Sequence, residues 1–240
     1  MFFSQRHEEI IEILKKRNHV TVRYLAQALH VSEPTIRRDL VSLEQDNRIK
    51  RTFGGAVLSN MLTQEIPLEL RESQSIEAKE LIAQQALQYI RDGQIIFLDA
   101  SSTVQRLAKH LYRFQDLTVI TNSPKTSLML AEMNIKSFCT GGALLGKSIA
   151  YVGTYAEEFI RNFNADLFFF SCRGLSDDGF LTDSSIDESN LRRVMMQHAA
   201  KNIFLCAADK LEKRYMYNFC DVSKVDHILC DKPLPSHLQK

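Results

Sequence analysis

Residues 32 to 44 read Ser-Glu-Pro-Thr-Ile-Arg-Arg-Asp-Leu-Val-Ser-Leu-Glu, and this stretch spells one short helix with a defined start. Ser32 is a good N-cap, Glu33 suits the positive end of the helix dipole, and Pro34 is tolerated where first-turn amides have no helical partner. Ile36, Leu40 and Leu43 recur at i, i+4 and i+7, so one face packs inward while Pro34, Thr35, Arg38, Ser42 and Gln45 point away. Arg38 is the most outward basic residue. Arg37 lies on the flank four residues after Glu33, where an intrahelical ion pair contributes about 0.2 to 0.5 kcal/mol. Arg38 is therefore the first candidate for reading a base edge.

Working outward, Thr21 to Leu29 forms a second short amphipathic stretch, and His30-Val31 leaves a tight turn before Ser32. Ser4 to Arg17 carries Ile10, Ile11, Ile13 and Leu14 on a helical period and stops at Asn18, a residue suited to a left-handed helix end. Three helices so spaced make a helix-turn-helix unit. Downstream, Ile49 alternates with Arg48, Lys50 and Arg51, and Gly54-Gly55 permits a sharp turn, which predicts a β wing with Lys50 and Arg51 facing phosphates. The candidate DNA contacts are Thr21, Arg23, Ser32, Pro34, Thr35, Arg37, Arg38, Ser42, Lys50 and Arg51. An Arg-Arg pair alone reads as a solvated helix face; its place in this spacing argues for DNA. The charge agrees modestly, since residues 1 to 57 hold 10 Lys+Arg against 7 Asp+Glu and the remainder 20 against 22.

With 240 residues and 45% hydrophobic content, the chain suits one or two packed domains. It has no apolar run of about twenty residues and no apolar signal core after a basic start, so a cytoplasmic protein with no membrane partner is expected. Cys139, Cys172, Cys206, Cys220 and Cys230 show no paired spacing and sit mostly in apolar runs, which predicts buried free thiols, with no metal and no cofactor.

Leu58 to Ser73 shows neither a strand nor a long helical period and is read as a linker between a reading domain, 1–57, and a second domain, 74–240. From Ser75 to Arg91, Ala83, Ala86, Leu87 and Ile90 follow helical spacing that stops at Asp92-Gly93. Strands are then predicted at Gln94 to Asp99, Leu117 to Thr121, Lys136 to Cys139, Asp166 to Cys172, Asn202 to Ala207 and Asp226 to Cys230, with helical patterns between most of them. Several are apolar throughout. Strands buried on both faces and separated by helices imply an α/β domain built on a mostly parallel sheet, whose ligands bind beyond the carboxyl ends of the strands.

At the first such end, Asp99 leads into Ser101-Ser102-Thr103 before the amphipathic segment Val104 to Tyr112. Three hydroxyls at a helix N-terminus suit a phosphate, although a plain cap needs one. Thr121-Asn122-Ser123 precedes Pro124 and serves either sugar hydroxyls or a turn with an N-cap. Gly141-Gly142 would let a backbone approach a ligand, Arg173 sits at the tip of a Phe-rich strand, and Lys210 lies beyond another. Thr182 to Glu188 leads into a helix where Glu188 and Arg192 are four apart, a spacing that also fits a surface ion pair.

Val31-Ser32-Glu33-x-Thr35-Ile36-Arg37-Arg38-Asp39-Leu40, Leu43-Glu44 and Arg51-x-x-Gly54-Gly55-Ala56 resemble the N-terminal signature of DeoR-type bacterial transcription regulators. The second domain resembles their sensor domain through Leu98-Asp99-x-Ser101-Ser102-Thr103, Leu117-Thr118-Val119-x-Thr121-Asn122-Ser123, Gly141-Gly142, Gly153, Asp183 and Glu188-x-x-x-Arg192-x-x-Met195. The resemblance spans nearly the whole chain. It implies a fold similar to ribose-5-phosphate isomerases and coenzyme A transferases, a phosphorylated sugar effector held by the loop 101–103, a double-stranded DNA operator, and a homo-oligomer, dimer or tetramer. Asn122, Gly141, Asp183, Glu188, Arg192 and Lys210 would line the rest of that site. Asn47 and Phe53 depart from the family's glycine and histidine at the wing; Ser101, Val104, Arg192 and Ala207 depart in the sensor. The alternative is a sugar-phosphate isomerase-like enzyme with an accessory DNA-binding head, in which Asp183 and Glu188 act as base and acid. It is disfavoured because a cation four residues away keeps Glu188 ionised and no histidine sits in these loops.

Overall fold

The computed structural model describes residues 3–17, 19–46, 48–52, 54–58, 66–235 and 238, and the chain divides into two compact units, 1–64 and 65–240. The first unit runs α1 (Phe3–Arg17), β1 (His19–Thr21), α2 (Val22–Ala28), α3 (Glu33–Gln45), β2 (Ile49–Thr52) and β3 (Gly55–Leu58). Helix α3 is the one expected from residues 32 to 44, capped by Ser32, whose hydroxyl accepts from the Thr35 amide at 3.4 Å. Ile36, Leu40 and Leu43 meet Ile10, Leu14 and Leu25 in one apolar cluster, which ties the three helices together. His30 makes the turn between α2 and α3 at φ 53.

The wing is the antiparallel pair β2 and β3, with Gly54 at φ +80, where a side chain would be strained. Strand β1 was not anticipated. It pairs with the other edge of β3, and three residues are too few to show an alternation. Asn18 as helix stop, Asn47 and Phe53 at the wing, the Lys50 side chain, and Ser59-Asn60 lie outside the described residues. The expected linker is shorter than predicted, because Leu58 closes β3 and residues 68 to 73 form a helix of their own. Six residues cannot display a helical period.

The second unit continues with α4 (Leu68–Ser73), α5 (Ile76–Ala86), β4 (Ile95–Leu98), α6 (Ser102–Ala108), β5 (Thr118–Thr121), α7 (Pro124–Glu132), β6 (Lys136–Cys139), β7 (Ala143–Leu145), β8 (Ala150–Val152), α8 (Thr154–Arg161), β9 (Ala165–Phe170), β10 (Gly174–Leu175), β11 (Phe180–Asp183), α9 (Ile186–Gln197), β12 (Ala199–Cys206), β13 (Tyr217–Asp221) and β14 (His227–Cys230). The six expected strands form one parallel sheet in the order β14-β12-β9-β4-β5-β6. Along β9, Phe168 and Phe170 enter one apolar layer while Leu167 and Phe169 enter the other. Burying such a side chain contributes about 1.5 to 3 kcal/mol, so both faces must be covered.

The strand order also locates the site. From β4 the chain builds outward through β5 and β6, then returns to place β9 on the opposite flank of β4. Connections on either side of this switch point leave a crevice at the carboxyl ends of β4 and β9, where ligands of open α/β sheets bind. The small antiparallel sheet β10-β11-β13 and the hairpin β7-β8 were not read from the sequence, being built of short segments. Both flank the crevice side of the sheet in sequence: β10 follows β9 directly, and β7 follows β6.

Candidate functional site

In the first unit, Arg37, Arg38 and Arg51 line a groove between α3 and the wing, together with Val22, Gly54 and Gly55. Arg37 is committed to Glu33 at 3.3 Å, as the spacing predicts. Arg38 is exposed and makes no ion pair among the described residues. Arg51 is pinned differently from the expectation that it faces phosphates freely. Its amide donates to Glu44 Oε1 at 2.8 Å and its Nε to Glu44 Oε2 at 2.6 Å, which fixes the wing to the last turn of α3. Pro34, Arg23 and Thr21 are exposed, Thr35 and Ser42 half-buried; Thr21 also caps α2 by accepting from the Tyr24 amide at 3.1 Å. The inner side of α3 holds a residue whose role was missed: Asp39, buried, receives Arg6 Nε at 2.5 Å and Arg6 Nη2 at 2.9 Å. This pair joins α1 to α3 and raises the Arg6 guanidinium's pKa.

In the second unit, a cavity of about 130 Å³ opens at the switch point. Ser101, Ser102, Arg173, Asp183, Glu188, Arg192 and Lys210 line it, as expected from the sequence. Its centre is Arg192, which donates from Nε to Asp99 Oδ2 and from Nη1 to Asp183 Oδ2, both at 2.8 Å, and lies 3.5 Å from Glu188. The Glu188–Arg192 spacing is thus no surface ion pair: both side chains are buried. Burial alone lowers the pKa of the guanidinium, yet Asp183, Asp99 and Glu188 together raise it above its ordinary value. Arg192 organises carboxylates and has few donors left for a ligand.

Asp99 anchors the floor without lining the cavity. It accepts from the amides of Ser101 at 2.9 Å and Ser171 at 3.2 Å. Ser171 in turn receives Lys210 Nζ on its hydroxyl at 2.5 Å. Ser101 caps α6 by accepting from the Val104 amide at 3.3 Å, so one of the three hydroxyls serves as a plain cap. Ser102 faces the cavity; Thr103 is fully buried, off the cavity lining, with an unpartnered hydroxyl.

Four other expectations resolve structurally. Thr121 accepts from the Ser123 amide at 3.1 Å, and Ser123 caps α7, so this stretch is a turn with an N-cap. Asn122 donates to the Tyr151 carbonyl at 3.0 Å and holds the β7-β8 hairpin. Gly141 and Gly142 adopt φ +66 and +107, and a Cβ on Gly142 would lie 2.7 Å from the Val152 carbonyl oxygen. The close backbone approach is to the hairpin, and none of these four residues lines the cavity.

The cavity also contains residues the sequence reading passed over: Arg71, Gln74, Lys79, Ser171, Lys213 and Tyr215. Lys79 had a visible signal, since it falls four residues before Ala83 on the apolar stripe of α5. It is 4% exposed, and its pKa is lowered to about 8, first by burial and then by Lys210. Loop residues such as Lys213 and Tyr215 carry no such periodic signal.

A winged helix-turn-helix beside an α/β unit with a cation-lined cavity defines a DNA-binding regulator that senses a small molecule. Residues 6–61 match the DeoR-like helix-turn-helix domain and residues 74–232 the DeoR C terminal sensor domain, so the chain belongs to the DeoR family of transcription regulators. It is 35% identical to the HTH-type transcriptional regulator GolR of Listeria innocua, with 100% of this chain and 95% of that protein covered. It is 32% identical to the L-fucose operon activator of Haemophilus influenzae, covering 99% and 95%, and 32% identical to the HTH-type transcriptional repressor GlcR of Bacillus subtilis, covering 97% and 90%. These relatives are regulators rather than enzymes. The Pyrococcus horikoshii translation initiation factor eIF-2B shares the fold, with a TM-score of 0.52 at 17% identity over 95% of this chain and 88% of that one.

Proposed function

We propose that the chain represses an operon of sugar metabolism and that a phosphorylated sugar in the cavity changes its hold on operator DNA. The observation that supports this reading is the concentration of Lys79, Arg173, Lys210 and Lys213 around one small cavity that also carries Asp183, Glu188 and Asp209. Cations meet a phosphate, and carboxylates accept from sugar hydroxyls. The sign of regulation follows GlcR, named a repressor, rather than the H. influenzae relative, named an activator.

Residues 1–57 serve as the reader and 74–240 as the sensor. Arg38 meets a guanine edge in the major groove, while Arg23 and Lys50 hold phosphates and Arg51, tied to Glu44, braces the wing against α3. A dimer or tetramer places two readers about 34 Å apart, or a multiple of that, on repeated half-sites. The effector acts by the difference in its affinity for the two spacings of the readers. The test is fluorescence anisotropy of the full chain on DNA from its own upstream region, with and without each of a set of sugar phosphates. One compound that releases the DNA supports repression relieved by an effector; a compound that strengthens binding supports the opposite sign.

A further inference from the structure

Lys79 occupies a position that its charge alone does not explain. It sits on the buried stripe of α5, yet its ammonium donates to the carbonyls of Arg71, in the last turn of α4, and of Gln74, its C-cap, the latter at 2.6 Å. The same side chain lines the cavity beside Lys210 and Arg173. An ammonium has three donors; two are spent on α4, and the third is left for the cavity.

The surrounding bonds share this layout. Arg173 Nη2 and Arg71 Nε both donate to the Ile66 carbonyl, at 3.3 and 3.0 Å. Ser75, in the elbow between α4 and α5, takes the left-handed conformation at φ 49 and donates its hydroxyl to Asp209 Oδ2 at 2.8 Å, next to Lys210. A non-glycine residue held there is strained. The Leu68 amide at the start of α4 donates to the Lys147 carbonyl at 2.7 Å, and Lys125 pairs with Glu72, near the end of the helix, at 2.6 Å. Ile66, Arg71 and Gln74, on both sides of and within α4, line the cavity, and residues 66 to 79 are the part of the sensor that follows directly, in sequence, on the connection to the reading unit.

We propose that Lys79 is a coupling residue that bridges an anion in the cavity to the Arg71 and Gln74 carbonyls at the end of α4, so that filling the cavity tightens the elbow at 66–79. The proposal rests on the reading of the cavity as an anionic effector site. Without a bound anion, the positive charge of Lys210 disfavours that of Lys79, an effect that Asp209 opposes. An anion between them reverses that repulsion and leaves both bonds to α4 intact and stronger. Lys79 thereby transmits occupancy without any bond being broken.

The experiment is hydrogen exchange on the full chain, with inorganic phosphate as the probe and the rise in melting temperature as the independent measure of binding. In the wild type, saturating phosphate slows exchange across residues 68 to 75 several-fold. In Lys79→Met, phosphate still raises the melting temperature at higher concentration through Lys210 and Arg173, but the protection of 68 to 75 no longer responds. Lys210→Met removes a cavity cation bonded to Ser171 instead of α4; it weakens phosphate yet keeps the protection at saturation. Phosphate that binds while exchange at 68 to 75 stays unchanged or quickens in the wild type overturns the coupling and leaves the effector site standing. Phosphate that raises no melting temperature overturns the anion site and the coupling together.

Discussion

Arg192 Nε meets Asp99 Oδ2 at 2.8 Å, joining two residues 93 apart in sequence at the switch point of the sheet. Asp99 directly follows β4 and Arg192 lies on α9, so the pair pulls that helix onto the strand ends where the cavity opens. Asp183 and Glu188 complete the cluster. Removing one partner of such a buried group leaves the others uncompensated, at a cost of about 3 to 5 kcal/mol. Arg192→Ala is expected to lose about that much stability of the sensor domain in urea denaturation. Arg192→Lys keeps one charge but not the fork, and is expected to fall between the two. A loss below about 1 kcal/mol in Arg192→Ala would show that the cluster does not hold the site together.

The reader is expected to separate base contacts from phosphate contacts. Arg38→Ala should cost about 1 to 3 kcal/mol on operator DNA and relax selectivity at one base pair, whereas Lys50→Ala should weaken operator and random DNA alike. Competition binding on both DNAs distinguishes them. Equal losses on both for Arg38→Ala would remove it as the base reader.

Asp39 and Arg6 make the corresponding strut in the reader. Asp39→Ala strands Arg6 near the core and unties α1 from α3, with an expected loss of about 3 kcal/mol. The reading unit's melting transition should fall while the sensor's is unchanged. A shift in the sensor transition instead would place the effect outside this pair.

Lys79 gives the sensor a pH dependence. In the fold its pKa is about 8, and in the unfolded chain a lysine titrates near the ordinary value of 10.5. Between those two the unfolded chain binds a proton that the folded one has lost, so stability rises with pH across this window, by about 3 kcal/mol at most. The charges that set the value are Lys210, Asp209, Arg71 and Arg106. An anion favours the charged lysine, so effector affinity is expected to weaken as pH rises through about 8, and to lose that dependence in Lys79→Met. Identical affinities of the wild type at pH 7 and pH 9, measured by calorimetry, would contradict this.

The thiols should divide by reactivity. Cys206 and Cys230 are partners on adjacent parallel strands, and a hydrogen bond from Cys206 lowers the Cys230 pKa to about 7, while burial pushes Cys172 up to about 12. Iodoacetamide is expected to modify Cys230 with a midpoint near pH 7 and to leave Cys172 untouched in the native protein. Mass spectrometry of the labelled peptides decides it, and equal labelling of both would contradict the assignment.

What could be read from the sequence follows from how each element is stabilised. Helix α3 was legible because its cap, its proline and its apolar period all agree, and the six sheet strands because both faces are apolar. Strands β1, β10 and β11, and helix α4, are held by partners distant in sequence and carry no period of their own. Ser101, Ser102, Asp183, Glu188 and Arg192 stand in motifs at strand ends and line the cavity. Thr121, Asn122, Gly141 and Gly142 have the same local look, yet they support a turn and a hairpin. Lys79, Lys213 and Tyr215 reach the cavity only through tertiary packing.

The cavity at the ends of β4 and β9 is proposed to take a phosphorylated sugar. Its most direct test is the melting temperature of the full chain against a panel of phosphorylated sugars, each beside its unphosphorylated parent. A ligand at 100 times its dissociation constant stabilises by about 2.7 kcal/mol. One or two phosphorylated compounds are expected to raise the melting temperature and their parents are not; a rise with no compound in the panel, or equal rises with phosphate and parent, would rule out a phosphate-selective cavity.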